Sequence, residues 1–252
     1  MIEVVNVNKV YGPLSVLKNI NETLPSSGIT SIIGPNGAGK STLLSVISRL
    51  LKPDSGEVRI DSLIVNEAHS EKLARIMSVL RQENQVTSRL SVYDLVSFGR
   101  YPYSKGRITE NDKHHIHQAL YFLDLLPLAE RYLDELSGGQ RQRAFVAMVL
   151  CQNTKYVLLD EPLNNLDMKH SVTMMKQLRR AADELGKSII LVIHDINFAS
   201  TYSDHIIAMK NGAVFFRGTP ADMMKPDLIE RLFEIPVAVE TVAGQHIAVY
   251  YR

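Results

Sequence analysis

Residues 34–42 read GPNGAGKST and fit the pattern G-x-x-x-x-G-K-[ST] at every fixed position. A loop of this kind follows a strand, opens a helix, and turns its backbone N–H groups and the helix dipole toward phosphate oxygens. Gly34, Pro35, Asn36, Gly37, Ala38 and Gly39 form the cradle, Lys40 reaches the β- and γ-phosphates, Ser41 offers a hydroxyl to Mg²⁺, and Thr42 completes the pattern. A second turn, LSGGQRQR at residues 136–143, again has paired glycines, a hydroxyl and a following helix pattern. One bound nucleotide needs one cradle. Ser137, Gly138, Gly139 and Gln140 therefore pose the question of whose phosphate the second turn serves.

YVLLDEP ends an apolar run with Asp160, Glu161 and Pro162. Neighbouring side chains on a strand point opposite ways unless the chain turns out, and a proline enforces such an exit. Asp160 can then hold the metal through water while Glu161 orients and deprotonates an attacking water; the plainer alternative is an acid pair that merely ends a strand at the solvent edge. His194, which closes IILVIH, is open to two readings, a hydrogen-bonded structural residue or a γ-phosphate contact at a strand end. Tyr11, beside a Gly-Pro turn, can stack on adenine or serve in packing. Gln82 sits where strand patterns give way to helical ones, and by itself points to nothing. His114, His115 and His117 suit a solvated helix face better than a metal site, and Cys151, within AFVAMVLC, suits a buried thiol.

The 252 residues suffice for one domain with a sizeable insertion or for two subdomains. With 28 Lys+Arg against 27 Asp+Glu the formal charge is +1, so no overall basic field recruits nucleic acid or anionic lipid. A single cysteine excludes an intrachain disulfide, and no stretch reaches the ~20 apolar residues that cross a bilayer. IEVVNVNKVY, VLKNINETL and GEVRID alternate apolar with polar residues, as antiparallel strands with one wet face do. TSIIG, KYVLLD and KSIILVIHD are continuous apolar runs, as parallel strands covered on both faces are. VYDLVSFG and DKHHIHQALYFLDLL, the latter introduced by Thr109-x-x-Asp112, predict a helical insertion over about residues 83–153. The basic, glycine- and proline-containing stretch 99–107 reads as an exposed loop. Asn211-Gly212 marks a hairpin, and PVAVETVAGQHIAVYYR a further strand pair.

Taken together, GPNGAGKST, LSGGQ and LLDEP resemble the nucleotide-binding subunit of ABC transporters over essentially the whole chain. The resemblance implies an α/β P-loop NTPase fold: a single domain spanning 1–252, whose RecA-like core with an antiparallel β subdomain covers 1–82 and 154–252 and whose helical subdomain covers 83–153. It also implies a head-to-tail homodimer in which the glycine turn of one copy completes the ATP site of the other. On this likeness Tyr11 stacks on adenine, Gln82 senses γ-phosphate and Mg²⁺, Glu161 is the general base, His194 the switch histidine, and Asp167 part of the cross-dimer loop. Leu163-Asn164-Asn165 departs from the small hydroxyl residue that many members carry after the proline. SVYDLVSFGRYPYSKGRIT and IHDINFASTYSDHIIAMKNG are similar to the ATPases of bacterial iron-siderophore importers, those for catecholate chelates such as petrobactin or enterobactin. That likeness implies two permease subunits, a substrate-binding protein and a place on the cytoplasmic face of the membrane, with the insertion near Gln82 and residues 99–107 as the docking groove. Haem or cobalamin import, a soluble ABC ATPase and a non-hydrolysing switch are the competing readings.

Overall fold

A computed structural model describes residues 1–82, 88–164 and 166–251. Along the chain come β1 (Ile2–Tyr11), β2 (Leu14–Leu24), β3 (Gly28–Ile33), α1 (Lys40–Ile47), β4 (Ser55–Ile60), β5 (Leu63–Ile64), α2 (Ser70–Ala74), β6 (Met77–Leu80), α3 (Val92–Phe98), α4 (Tyr101–Ser104) and α5 (Glu110–Phe122). There follow α6 (Gly138–Cys151), β7 (Tyr156–Asp160), α7 (Met168–Glu184), β8 (Ser188–Val192), α8 (Ile196–Tyr202), β9 (His205–Lys210), β10 (Ala213–Gly218), α9 (Pro220–Met223), α10 (Pro226–Phe233), β11 (Ala238–Val242) and β12 (Gln245–Val249). They fall into two compact units, Met1–Ala68 with Ser188–Arg252, and His69–Lys187.

In the first unit the alternating sequences build the antiparallel set β2-β1-β4-β5, with Val4 opposite both Glu22 and Val58. The apolar runs build a mixed set. β3 is parallel to β8 on one side and to β9 on the other, and β10 returns antiparallel to β9 across Asn211-Gly212. Ile29, Ile32, Ile33 and the whole of Ile189–Val192 are buried, which is why these strands show no polar alternation. β11 and β12 pair through a turn at Ala243-Gly244, and Asn197 of α8 anchors them by bonding both the N–H (2.7 Å) and the carbonyl (3.2 Å) of Ala248.

The second unit pairs β6 with β7 in parallel and surrounds them with helices. Thr109 and Asp112 form the capping box that starts α5: the Thr109 hydroxyl accepts the Asp112 N–H at 3.2 Å, and the carboxylate takes the Thr109 N–H at 3.0 Å. His114 and His117 of α5 face solvent. Cys151 is 2% exposed, and burial pushes its thiol up to about 12.

Stretch 99–107 differs from expectation. Only its end, Lys105 to Arg107, is exposed and outside a helix; Tyr101–Ser104 is a helical turn, and Arg100 before it is 3% exposed. The Arg100 guanidinium bonds Asp112 Oδ1 at 2.9 Å and the Cys151 carbonyl at 3.0 Å, with the Tyr103 ring 4.1 Å away. A buried guanidinium must be paired, and the pairing residue lies twelve positions along the chain, where no local pattern announces it. Burial pushes the Asp112 carboxyl up, but the Thr109 hydroxyl and N–H and the Arg100 charge outweigh it and hold the group below the ordinary carboxylate range. Asp112→Ala is expected to cost roughly 3–5 kcal/mol, because it strands the buried guanidinium. In wild type, a depressed carboxyl contributes fully above its unfolded value of about 4 and loses that contribution as pH falls through the lower folded value. Denaturation midpoints measured from pH 7 down to pH 2 for both proteins should therefore converge at the acid end.

Candidate nucleotide site

In the first unit the glycine loop runs from the end of β3 into α1. Gly34 has φ 141°, and a side chain there would put its first carbon 2.1 Å from the Met209 carbonyl oxygen, so the loop enters with no room for anything but glycine. Gly39 stands at the N-cap of α1 and offers no side-chain acceptor, so no cap from this residue competes with a phosphate at the helix end. Lys40 is 5% exposed, and its ammonium lies on the loop's own carbonyls, 2.9 Å from Gly34 O and 3.0 Å from Pro35 O. A phosphate entering the cradle competes with these carbonyls for that charge. Ser41 and Thr42, on the first turn of α1, are half-buried.

His194 falls on the same edge. β8 lies beside β3 in parallel register, Ile32 opposite Val192, and the Ile193 N–H bonds the Ile32 carbonyl at 3.2 Å. Gly34 and His194 thus follow paired residues by the same two positions, at the carboxyl ends of adjacent strands where α/β sheets bind ligands. His194 is exposed there, and Asp195 after it caps α8 by accepting the Asn197 and Phe198 N–H groups at 2.7 and 3.2 Å. Tyr11, at the end of β1, is 50% exposed, with Lys9 Nζ 5.6 Å from its ring centre.

In the second unit the same device recurs. Leu80 of β6 is opposite Leu159 of β7, so Gln82 and Glu161 leave adjacent strand ends in step, and Gln82 Nε2 donates to Glu161 Oε2 at 2.6 Å. Asp160, the last residue of β7, is 8% exposed. Glu161 makes the exit itself, with φ 51°, a left-handed conformation rare for a residue with a side chain. Pro162 follows that turn rather than creating it. Asn164 donates a second amide hydrogen bond to Glu161 Oε2. Asn165 lies outside the described residues.

The second glycine turn caps α6. Ser137 Oγ accepts the Gln140 N–H at 3.3 Å, and Gln140 Oε1 accepts the Ser137 N–H at 3.0 Å. The motif is thus a capping box, visible in the sequence as S-x-x-Q, and the first two residues of the helix it caps are Gly138, which is exposed, and Gly139, which is buried. Behind Gly139 stands the His170 ring: an added side-chain carbon would come within 3.1 Å of it. Asp167, the cap of α7, takes the His170 N–H at 2.8 Å and its ring Nδ1 at 2.7 Å, which hold the Asp167 carboxyl below its usual range. His170 and Gln142, whose Nε2 donates to the Pro162 carbonyl at 3.1 Å, carry no sequence signal of their own, because their partners are brought close by the fold.

A family model described as ABC transporter matches residues 17–164. The chain belongs to the ABC transporter family. It is an ABC ATPase, and nucleotide binding and hydrolysis come with that membership. It is 54% identical over 251 residues to the petrobactin import ATP-binding protein YclP of Bacillus subtilis (strain 168), covering 100% of both chains. It is 52% identical to the petrobactin import ATP-binding protein FatE of Bacillus anthracis, covering 99% of this chain and 100% of that one. Among solved structures, the ATP-binding cassette MJ0796, a dimer in a post-hydrolysis state with ADP and Pi, superposes with TM-score 0.78 at 31% identity, covering 87% of this ABC ATPase and 99% of that chain.

Proposed function

We propose that this ABC ATPase is the motor subunit of an importer for catecholate iron chelates of the petrobactin kind, working as a head-to-tail homodimer on two permease subunits fed by a substrate-binding protein. The observation that carries the shared ATP site is the pair of phosphate-type helix ends, one in each unit: a glycine loop with Lys40 and a separate Gly138-Gly139 turn at the start of α6. A single ATP occupies the first, and the second serves the ATP held by another copy. No helix among the described residues is long and apolar enough to cross a membrane. On this reading the subunit sits at the cytoplasmic face, held there by the permease.

The residues divide the work by chemistry. Tyr11 stacks on adenine. The loop 34–42 and Lys40 hold the phosphates. Ser41, Asp160 and Gln82 bring a hydroxyl, a carboxylate and an amide oxygen, the hard donors that suit Mg²⁺. Gln82 donates through its amide nitrogen to Glu161, and its carbonyl oxygen is the atom that would ligate the metal. When bound, the metal neutralises charge on the phosphates. Glu161 accepts a proton from the attacking water, His194 contacts the γ-phosphate, and Ser137, Gly138, Gly139 and Gln140 with Asp167 complete the partner's site. Because γ-phosphate bridges the two copies, ATP favours the closed dimer and hydrolysis releases it.

Ser137→Arg keeps the cradle of its own chain and sets a bulky cation on the turn. Expected in light scattering is ATP bound to monomers, with dimer formation lost; an ATP-induced dimer of this variant contradicts the shared site. The cargo is tested by uptake of radio-iron-labelled ferric petrobactin and haem and of radio-cobalt-labelled cobalamin into cells whose sole copy is catalytically dead. Loss confined to ferric petrobactin supports the proposal, and loss of haem or cobalamin uptake instead replaces it.

A further inference from the structure

We propose that Asn164 is a positioning residue for Glu161, so that the unusual loop after the proline aims the general base. This rests on the reading of Glu161 as the base. A carboxylate works in that role only when one oxygen points its lone pair at the water, yet the last torsion of a glutamate is broad and does not select a direction by itself. Here two amides select it. Gln82 Nε2, at 2.6 Å, and Asn164 Nδ2 converge on the same oxygen, Oε2, which fixes the plane of the carboxylate.

The backbone explains why Asn164 can do this. Glu161 stands at φ 51°, and the chain doubles back at once, with the Asn164 N–H on the Glu161 carbonyl at 3.2 Å and the Leu166 N–H on the Leu163 carbonyl at 3.2 Å. Residues 161 and 164 are thus joined by main chain and side chain together. The outer side of the turn is tied down as well, since Gln142 of α6 donates to the Pro162 carbonyl. A serine in place of Asn164 lacks the reach of the amide, and a leucine lacks the donor. The two donors differ in character: Gln82 belongs to the segment assigned to phosphate and metal sensing, whereas Asn164 belongs to the same turn as the base and stays with it.

The test is steady-state ATP hydrolysis by the full-length protein. Asn164→Ala should lower kcat about ten- to a hundredfold, the cost of a misaimed group, while KM for ATP stays within about twofold. Asn164→Asp keeps the shape, replaces the donor with a second carboxylate, and should lower kcat at least as far. Asn164→Gln retains an amide and should recover part of the loss. In single-turnover assays, Asn164→Ala added to Glu161→Gln should cost nothing further, because there is no base left to aim. Wild-type kcat in both the Ala and Asp variants, a loss confined to KM, or a fully additive loss in the double variant each overturns the assignment. Should the Ala variant misfold, the isosteric Asp variant decides alone. Absence of hydrolysis by the wild-type protein sinks the functional reading itself, a result separable from any of these.

Discussion

Glu161→Gln removes steady-state phosphate release by a factor of about 10² to 10⁴, the range a positioned general base supplies. The substitution keeps the shape and the partners' hydrogen-bonding distance but takes away the proton acceptor. ATP affinity should persist, because the proposed phosphate holders, loop 34–42 and Lys40, are untouched, and the variant should accumulate as an ATP-bound dimer. Phosphate-release assays read the first effect, and light scattering with ATP against ADP reads the second. Hydrolysis near the wild-type rate in this variant removes Glu161 from its role, and with it the reason for the two amides that converge on Oε2.

Lys40→Ala is expected to weaken ATP binding about a hundredfold or more, since charge-assisted hydrogen bonds are worth roughly 1.5–3 kcal/mol each and tenfold corresponds to about 1.4 kcal/mol. The effect has a second source. The Lys40 ammonium spans the carbonyls of Gly34 and Pro35, so its removal also loosens the loop in the empty state. Titration calorimetry should show the loss for ATP and ADP alike, since the β-phosphate is common to both. On the proposed stacking of adenine on Tyr11, adenosine affinity should move little; retention of ATP affinity contradicts the phosphate cradle.

What could be read from the sequence was what depends on short spacing. The glycine loop, the second glycine turn and the acid pair each occupy a few consecutive residues, and the parallel strands declare themselves as unbroken apolar runs because both faces are buried. β6 escaped notice. At four residues, Met77–Leu80, it is too short to show a period, yet its pairing with β7 is what brings Gln82 to Glu161. The burial of Arg100 leaves no local sign for a related reason: its partner Asp112 reads in sequence as a helix cap, and a cap does not announce that its second oxygen neutralises a buried cation. Asn164 was visible only as a departure from the family pattern, whereas its meaning lies in a left-handed Glu161 that residue types do not predict. Local chemistry is written in adjacent letters, and positioning is written in contacts that the fold closes later.

The sealed environment of Cys151 has a practical corollary for watching this ATPase at work. A thiol that is 2% exposed, and that burial pushes up to about 12, should carry almost no thiolate at neutral pH and resist maleimides and spin-label reagents. One new surface cysteine can therefore be attached to a probe without first stripping out the natural one, and each copy then carries a single label. Opening and closing of a pair during turnover becomes measurable as one clean interlabel distance in otherwise unaltered protein.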